Sequence, residues 1–224
     1  MRIAPEAYAR WFSPNTNEGP SGLRDSPRPF VFRASHLDGA TIAAGERFHF
    51  GINVFETREP IVDLLIQAFE ERFGPLDRIE GKEVLRLPLE PSAERVAQIR
   101  VRFLTPTEIK GCDRPEFGAL LARIRDRTST LRALYGSGPL DINFRMLAGR
   151  ADGVKMIKCR IERVNAAKRL SRSTGQTHSL GGFVGDAEYE GDLAEFIPYL
   201  EIARWTGVGR QTVWGKGEIA WETI

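Results

Sequence analysis

Residues 180–217 read LGGFVGDAEYEGDLAEFIPYLEIARWTGVGRQTVWGKG: a period-two run, a helical stripe, then a glycine-dense loop. Phe183, Ala187 and Tyr189 mark one face of the first run, which predicts a strand over 180–190. Asp192 suits the cap of a helix whose stripe is Leu193, Phe196, Ile197 and Leu200. Pro198 inside that stripe predicts a kink or a late start. Beyond the loop, Ile219 and Trp221 predict a closing strand. Upstream, residues 154–164 alternate Ile157, Cys159 and Ile161 against Lys158, Arg160 and Glu162. Residues 115–135 set Phe117, Leu120, Leu121, Ile124, Thr128, Leu131 and Leu134 on one helical stripe that ends at Gly136. Residues 96–104 turn Ile99, Val101 and Phe103 inward. The order is βαββαβ, the ferredoxin-like or split βαβ arrangement, which the RNA-recognition motif shares.

The first part of the chain fits the same template incompletely. Pro29-Phe30-Val31-Phe32-Arg33 predicts a strand, and residues 46–55 predict a second, with Phe48, Phe50, Ile52 and Val54 on one face. Residues 59–73 follow as a helix stopped by Gly74-Pro75. Glu83–Leu87 predicts a further strand before the break at Pro88–Pro91. This ββαβ succession lacks an opening strand and helix. Residues 1–27, with Pro5, Pro14, Gly19, Pro20, Gly22 and Pro27, read as irregular chain that docks by its aromatics Tyr8, Trp11 and Phe12. The expected fold is therefore α+β, with tandem ferredoxin-like domains: an irregular segment over 1–27, a partial domain over 28–92, and a complete one over 93–224.

The 224 residues are 28% charged and 42% hydrophobic, which excludes disordered and fibrous classes. No apolar run approaches the roughly 20 residues of a membrane helix, and no secretory signal is visible. A soluble cytoplasmic protein is expected. Cys112 and Cys159 make neither a disulfide framework nor a metal-ligand pattern, so they read as packing residues, and neither metal nor cofactor is expected. The net charge of +2 conceals a strong asymmetry. Residues 95–172 carry 18 Lys and Arg against 7 Asp and Glu, while both flanks are acidic. Such a block suits a polyanionic partner; a set of solvated helix and strand faces is the alternative.

The loop Gly207-Val208-Gly209-Arg210-Gln211-Thr212-Val213-Trp214-Gly215-Lys216-Gly217 holds two Gly-x-Gly units between a helix and a strand. Consecutive exposed N–H groups there can form an anion nest, to which Arg210 and Lys216 would add charge. It is no Walker loop, since no Gly-Lys-Ser/Thr opens a helix, and no dinucleotide fingerprint, since the glycines follow a helix. An ordinary glycine-rich turn is the competing reading.

These residues resemble the CRISPR repeat-processing endoribonucleases of the RAMP superfamily. The similarity is carried by Leu180-Gly181-Gly182-Phe183-Val184-Gly185, Tyr189-Glu190-Gly191-Asp192-Leu193, Phe196-Ile197-Pro198 and the double-glycine loop. Phe103-Leu104-Thr105-Pro106, Leu134-Tyr135-Gly136-Ser137-Gly138-Pro139-Leu140 and Pro29-Phe30-Val31-Phe32 extend it upstream. Lys216 stands where the family pattern has an apolar residue. The resemblance implies tandem ferredoxin-like domains that bind CRISPR repeat RNA and cut it without metal, the ribose 2′-hydroxyl attacking the adjacent phosphate. It also implies a proton-transfer histidine near the first helix, which has no counterpart among the elements above, so no catalytic residue is carried over from it. A non-catalytic RNA-binding subunit of the same fold is the second reading, and a binder of anionic metabolites the third. CRISPR effector subunits and a second copy of the chain are further partners to consider; a membrane is not.

Of the three histidines, His178 is the catalytic candidate, within the basic, hydroxyl-rich loop Lys168–His178. His36 reads as a turn residue and His49 as a strand residue. The RNA-binding candidates are Lys168, Arg169, Arg172, Arg210 and Lys216, with the loop glycines Gly207, Gly209, Gly215 and Gly217. Lys158 and Arg160 rank second. Arg123, Arg125, Arg127 and Arg132 are expected on a solvated helix face, and Trp205 and Trp214 as stacking or core residues.

Overall fold

In the computed structural model, residues 11, 26–56, 61–77, 83–164, 168–170, 177–179 and 181–224 are described. The larger sheet contains β3 (Gln98–Thr107), β4 (Lys155–Val164), β7 (Gly182–Glu190) and β8 (Ile219–Thr223) in the order β4-β7-β3-β8. Every neighbouring pair is antiparallel, with Ile99 opposite both Tyr189 and Thr223, and Val101 opposite both Ala187 and Trp221. Two crossover helices, α2 (Phe117–Tyr135) and α4 (Ile197–Thr206), pack against each other on the inner side. With β3, α2, β4, β7, α4 and β8 in chain order, this is the expected βαββαβ succession.

Burial explains why these segments adopt these elements. Along β3, Ile99, Val101, Phe103, Thr105 and Thr107 are buried while alternate residues face solvent. Their neighbours in the core are Phe117, Leu120, Leu121 and Ile124 from α2, and Leu200 and Ala203 from α4. Full burial of each such aliphatic or aromatic side chain is worth about 1.5–3 kcal/mol. Tyr189 is fully buried, and its hydroxyl donates to the Pro115 carbonyl at 2.6 Å. Burial pushes its pKa well above the ordinary phenol value.

A smaller structure precedes the large sheet. β1 (Phe30–Arg33) and β2 (Gly51–Val54) form an antiparallel ladder from Phe30↔Val54 to Arg33↔Gly51, with α1 (Ile61–Phe73) following. Trp11, Phe30 and Leu65 are buried together, packed by Phe32, Ile52, Val54 and Val62; Tyr8, Phe12 and the rest of residues 1–25 lie outside the described residues. Val213 of the glycine-rich loop joins this cluster. Phe32 stacks on Trp214 at 6.4 Å between centroids.

The structure departs from the sequence reading at three elements and settles a fourth. No strand forms at Glu83–Leu87, where Val84 is 65% exposed. In the large sheet the closing strand β8 pairs with the opening strand β3. Among the described residues no opening strand precedes β1. The second predicted strand shortens to Gly51–Val54, leaving Phe48 outside it. The late start at Pro198 is the one realised, with that proline in the first turn of α4 and Leu193 and Phe196 buried in the approach. Finally, α3 (Phe144–Asp152), capped by the Asn143 side chain on the Met146 N–H at 3.0 Å, was not foreseen.

Candidate nucleic-acid interface

The glycine-rich loop is a joint between elements. Six of its N–H groups donate to protein carbonyls: Gly207 to Ala203, Val208 to Gly217, Arg210 to Glu108, Trp214 to Gln211, Gly215 to Thr212 and Gly217 to Pro106, at 2.8–3.3 Å. The paired donors are not available to an anion nest. Two glycines are required by close approach. A Cβ on Gly217 would overlap the Val208 carbonyl, and one on Gly209 the Glu108 carbonyl; both residues also have positive φ, 69° and 84°. The buried Thr105 hydroxyl donates to the Gly215 carbonyl at 2.8 Å and accepts from the Glu218 N–H at 2.9 Å.

The loop sets two cations around one carboxylate. Glu108, immediately after β3, holds Arg210 through Oε1–Nη1 at 3.0 Å, and its Oε2 lies 3.9 Å from Lys216 Nζ. The Lys216 ammonium donates to the Gly181 carbonyl at 2.6 Å and to Gln211 Oε1 at 3.3 Å. Lys216 is 5% exposed, and burial pulls its pKa below the ordinary amine value, with Glu108 opposing the shift. Gly181 lies three residues past His178. The basic loop expected over Lys168–His178 contains a two-stranded ribbon, β5 (Lys168–Leu170) with β6 (Thr177–Ser179). Its register sets Arg169 opposite His178 and Lys168 opposite Ser179. Arg172 lies outside the described residues. Backbone topology thus gathers Lys168, Arg169, His178, Arg210 and Lys216 at the end of the large sheet where β4 leaves and β7 enters.

The sequence reading missed further cations at this end. Lys110 and Arg114 follow β3 directly and are exposed, and Arg163, on β4 opposite Phe183, pairs with Asp113. In sequence they are scattered; only the strand register brings them together.

Much of the remaining basic block is neutralised or structural. On the open sheet face Arg100 bonds Glu188 and Glu222 at 2.9–3.1 Å, Lys158 approaches Glu188 at 3.4 Å, and Arg160 pairs with Asp186 at 3.0 Å. Hydrogen bonds from Arg100 hold the Glu188 carboxyl below the usual carboxylate range. On α2 the expectation of a solvated face is corrected for two residues. Arg125 pairs with Asp126 at 2.7 Å and lies 4.8 Å over the Phe144 ring. Arg127 donates to the Thr206 carbonyl at 2.9 Å. From the other side, Arg33 donates to the Arg204 and Trp205 carbonyls at 2.8 and 2.9 Å, and Asn53 to Trp205 at 2.9 Å. The carbonyl end of α4 attracts cations because the helix dipole is negative there. Burial and the neighbouring Arg33 pull the Arg127 pKa down to about 10.

His36 and His49 face each other with rings stacked at 4.1 Å, the His36 Nε2 against the His49 carbonyl at 2.9 Å. Trp214 is 44% exposed beside Arg28, whereas the Trp205 indole N–H is buried. Cys112 and Cys159 are free and half-buried. Among the described residues, no group of three or more His, Cys, Asp or Glu is placed to hold a metal ion. No described helix is long and apolar enough to cross a membrane.

An antiparallel ferredoxin-like sheet closed by a glycine-rich joint, with cations gathered at one end, defines the class: an α+β protein of the split βαβ type. The model of the CRISPR-associated endoribonuclease Cas6 family matches residues 101–219, from β3 to the start of β8 and over half of the chain. The chain belongs to that family. Among solved structures, a product complex of Cas6 (TTHB231) is 15% identical over 89% of this chain and 84% of that one, with a TM-score of 0.54. A product complex of Cas6 (TTHA0078) is 17% identical over 97% and 90%, with a TM-score of 0.52. A third alignment, to Thermus thermophilus Cas6 (TTHB231), spans 58% of this chain and 55% of that one at 17% identity and a TM-score of 0.44. The first two likenesses concern the fold. No curated protein matches the chain in sequence.

Proposed function

We propose that this chain binds CRISPR repeat RNA at the glycine-loop end of its large sheet and cuts the precursor transcript within the repeat, without a metal ion. The observation that carries this reading is the family match over residues 101–219 together with the clustering of Arg210, Lys216, Lys110, Arg163 and the β5–β6 ribbon at one place. Two solved Cas6 product complexes share this fold, which suits the same reading. Lys168, Arg169, Arg172 and Arg210 supply phosphate contacts, and Lys216 supplies field from within. Gly207, Gly209, Gly215 and Gly217 serve by shape, letting the loop fold tightly beside the strand. Residues 28–92 act as the remainder of a ferredoxin-like domain and 93–224 as a complete one.

In the proposed reaction a 2′-hydroxyl attacks the adjacent phosphate, leaving a cyclic phosphate and a free 5′-hydroxyl. Such a step needs a proton acceptor, a proton donor and positive charge on the phosphorane. His178 is assigned to proton transfer, with Arg169 opposite it in the ribbon register. The test is incubation of the chain with its host's repeat RNA in EDTA, reading products by their cyclic-phosphate ends. Discrete products are expected, and His178→Ala is expected to slow their formation by about 10²–10⁴-fold. Unchanged cleavage by that variant removes His178 from the mechanism. Salt-sensitive binding without products leaves a non-catalytic RNA-binding subunit.

A further inference from the structure

We propose that Glu108, Arg210 and Lys216 form a carboxylate relay: Glu108 covers Arg210 in the RNA-free protein and moves onto Lys216 when an RNA phosphate takes the Arg210 guanidinium. This rests on the reading that the glycine-loop end meets RNA, and it assigns Lys216 as a positioning residue rather than a phosphate contact.

Four observations carry it. First, the main chain of Glu108 is pinned, because its carbonyl accepts the Arg210 N–H at 3.1 Å; only the side chain is free to travel. Second, the travel is short, since Oε1 already bonds Arg210 at 3.0 Å while Oε2 stands 3.9 Å from Lys216 Nζ. Third, access differs. The side chains of Arg210 and Glu108 are 58% and 36% exposed, so a phosphate can reach them, whereas that of Lys216 is 6% exposed. Fourth, among the described residues the carboxylate nearest the buried ammonium is that of Glu108, still 3.9 Å away. The ammonium's near acceptors are the neutral Gly181 carbonyl and the Gln211 amide oxygen. A buried charge is costly unless paired, and a methionine of similar length would fill the same space with no charge to desolvate. A lysine here has a use if a carboxylate closes on it in another state.

The exchange is electrostatically matched. A phosphate offers Arg210 a bidentate, fully charged acceptor, which competes well with an exposed carboxylate. Left beside that phosphate, Glu108 would repel it; drawn onto Lys216, it gains a desolvated partner and leaves the phosphate side. Lys216 thereby sets how readily Arg210 becomes available, and its bond to Gly181 ties that choice to the chain entering β7 from the ribbon that holds His178.

The experiment is a double-mutant cycle on the full chain, binding a fluorescein-labelled CRISPR repeat RNA from the host array, with melting curves for each variant. E108Q is expected to tighten binding about fivefold, and K216M to weaken it about fivefold, in the usual range of coupling free energies. In the E108Q background K216M is expected to have no further effect, because there is no carboxylate left to park. Equal weakening by K216M in both backgrounds means a direct phosphate contact or a packing role, and overturns the relay. Weakened binding by E108Q overturns it as well. R210Q bound as tightly as wild type overturns the reading of this end and the relay with it. Weaker binding by R210Q, together with additive effects of E108Q and K216M, overturns the relay alone.

Discussion

Gly217 and Gly149 show how differently one residue type can act in this chain. At Gly217 a methyl group would overlap the Val208 carbonyl, and φ is 69°. Gly149 lies inside α3 with nothing within 4 Å of its would-be Cβ. Gly217→Ala is therefore expected to destabilise by more than about 2 kcal/mol, through backbone strain that no rotamer can relieve. Gly149→Ala is expected to stabilise by about 0.5–1 kcal/mol, from helix propensity and reduced unfolded-state entropy. Urea unfolding of the two variants beside wild type reads both signs. The glycine count of the loop was legible in sequence, but which glycine is sterically required was not, because the crowding atoms belong to Val208 and Glu108 in the folded chain.

At the scale of elements, the carbonyl end of α4 is gripped from two sides, by Arg33 and Asn53 from the β1–β2 ladder and by Arg127 from α2. Arg33 Nη1, Arg127 Nη2, Trp205 Nε1 and Glu218 Oε2 are buried there without hydrogen-bond partners among the described residues. The grip is thus a compromise between helix-dipole attraction and incomplete pairing. The folded-state pKa of Arg127, about 10, lies below the ordinary guanidinium value. Between those two values the unfolded chain binds more protons, so stability rises with pH in that window and the penalty stands in full below it. Arg127→Met keeps the aliphatic stem and removes the disfavoured charge, and is expected to hold or raise the melting temperature at pH 7. Wild type should gain on that variant as pH climbs through about 10, read by paired urea titrations at pH 8 and above. Periodicity placed α2, β4 and β7 within two residues and ended β3 three residues early. It could not place Arg127 on the buried side of a helix whose arginines all looked solvated, because the α4 carbonyls it serves are distant in sequence.

For the whole molecule, the basic block divides into charges that are used internally and charges left for a ligand. Arg160 is paired with Asp186 on the open face of the sheet, while the cations near the glycine loop stand at its end. Arg160→Gln is expected to leave the salt dependence of RNA binding unchanged. Arg210→Gln is expected to reduce the slope of log K against log salt by about one, the signature of one lost phosphate contact. Filter binding over a range of salt concentrations with both variants distinguishes a sheet-face platform from an end-on site.

By itself the sequence determined the βαββαβ succession, the two glycine pairs and the uneven charge. Each is written in local periodicity, glycine spacing or composition, which no distant contact needs to supply. Only the tertiary structure decided that Glu83–Leu87 would not become a strand, that the glycine loop would bond to itself and to β3, and that Glu108 would stand between Arg210 and Lys216. Those outcomes depend on partners far apart in sequence, about a hundred residues for Glu108 and Arg210. Strand pairing and buried charge are properties of the assembled chain, so a pattern read along the backbone carries them only once the register is known.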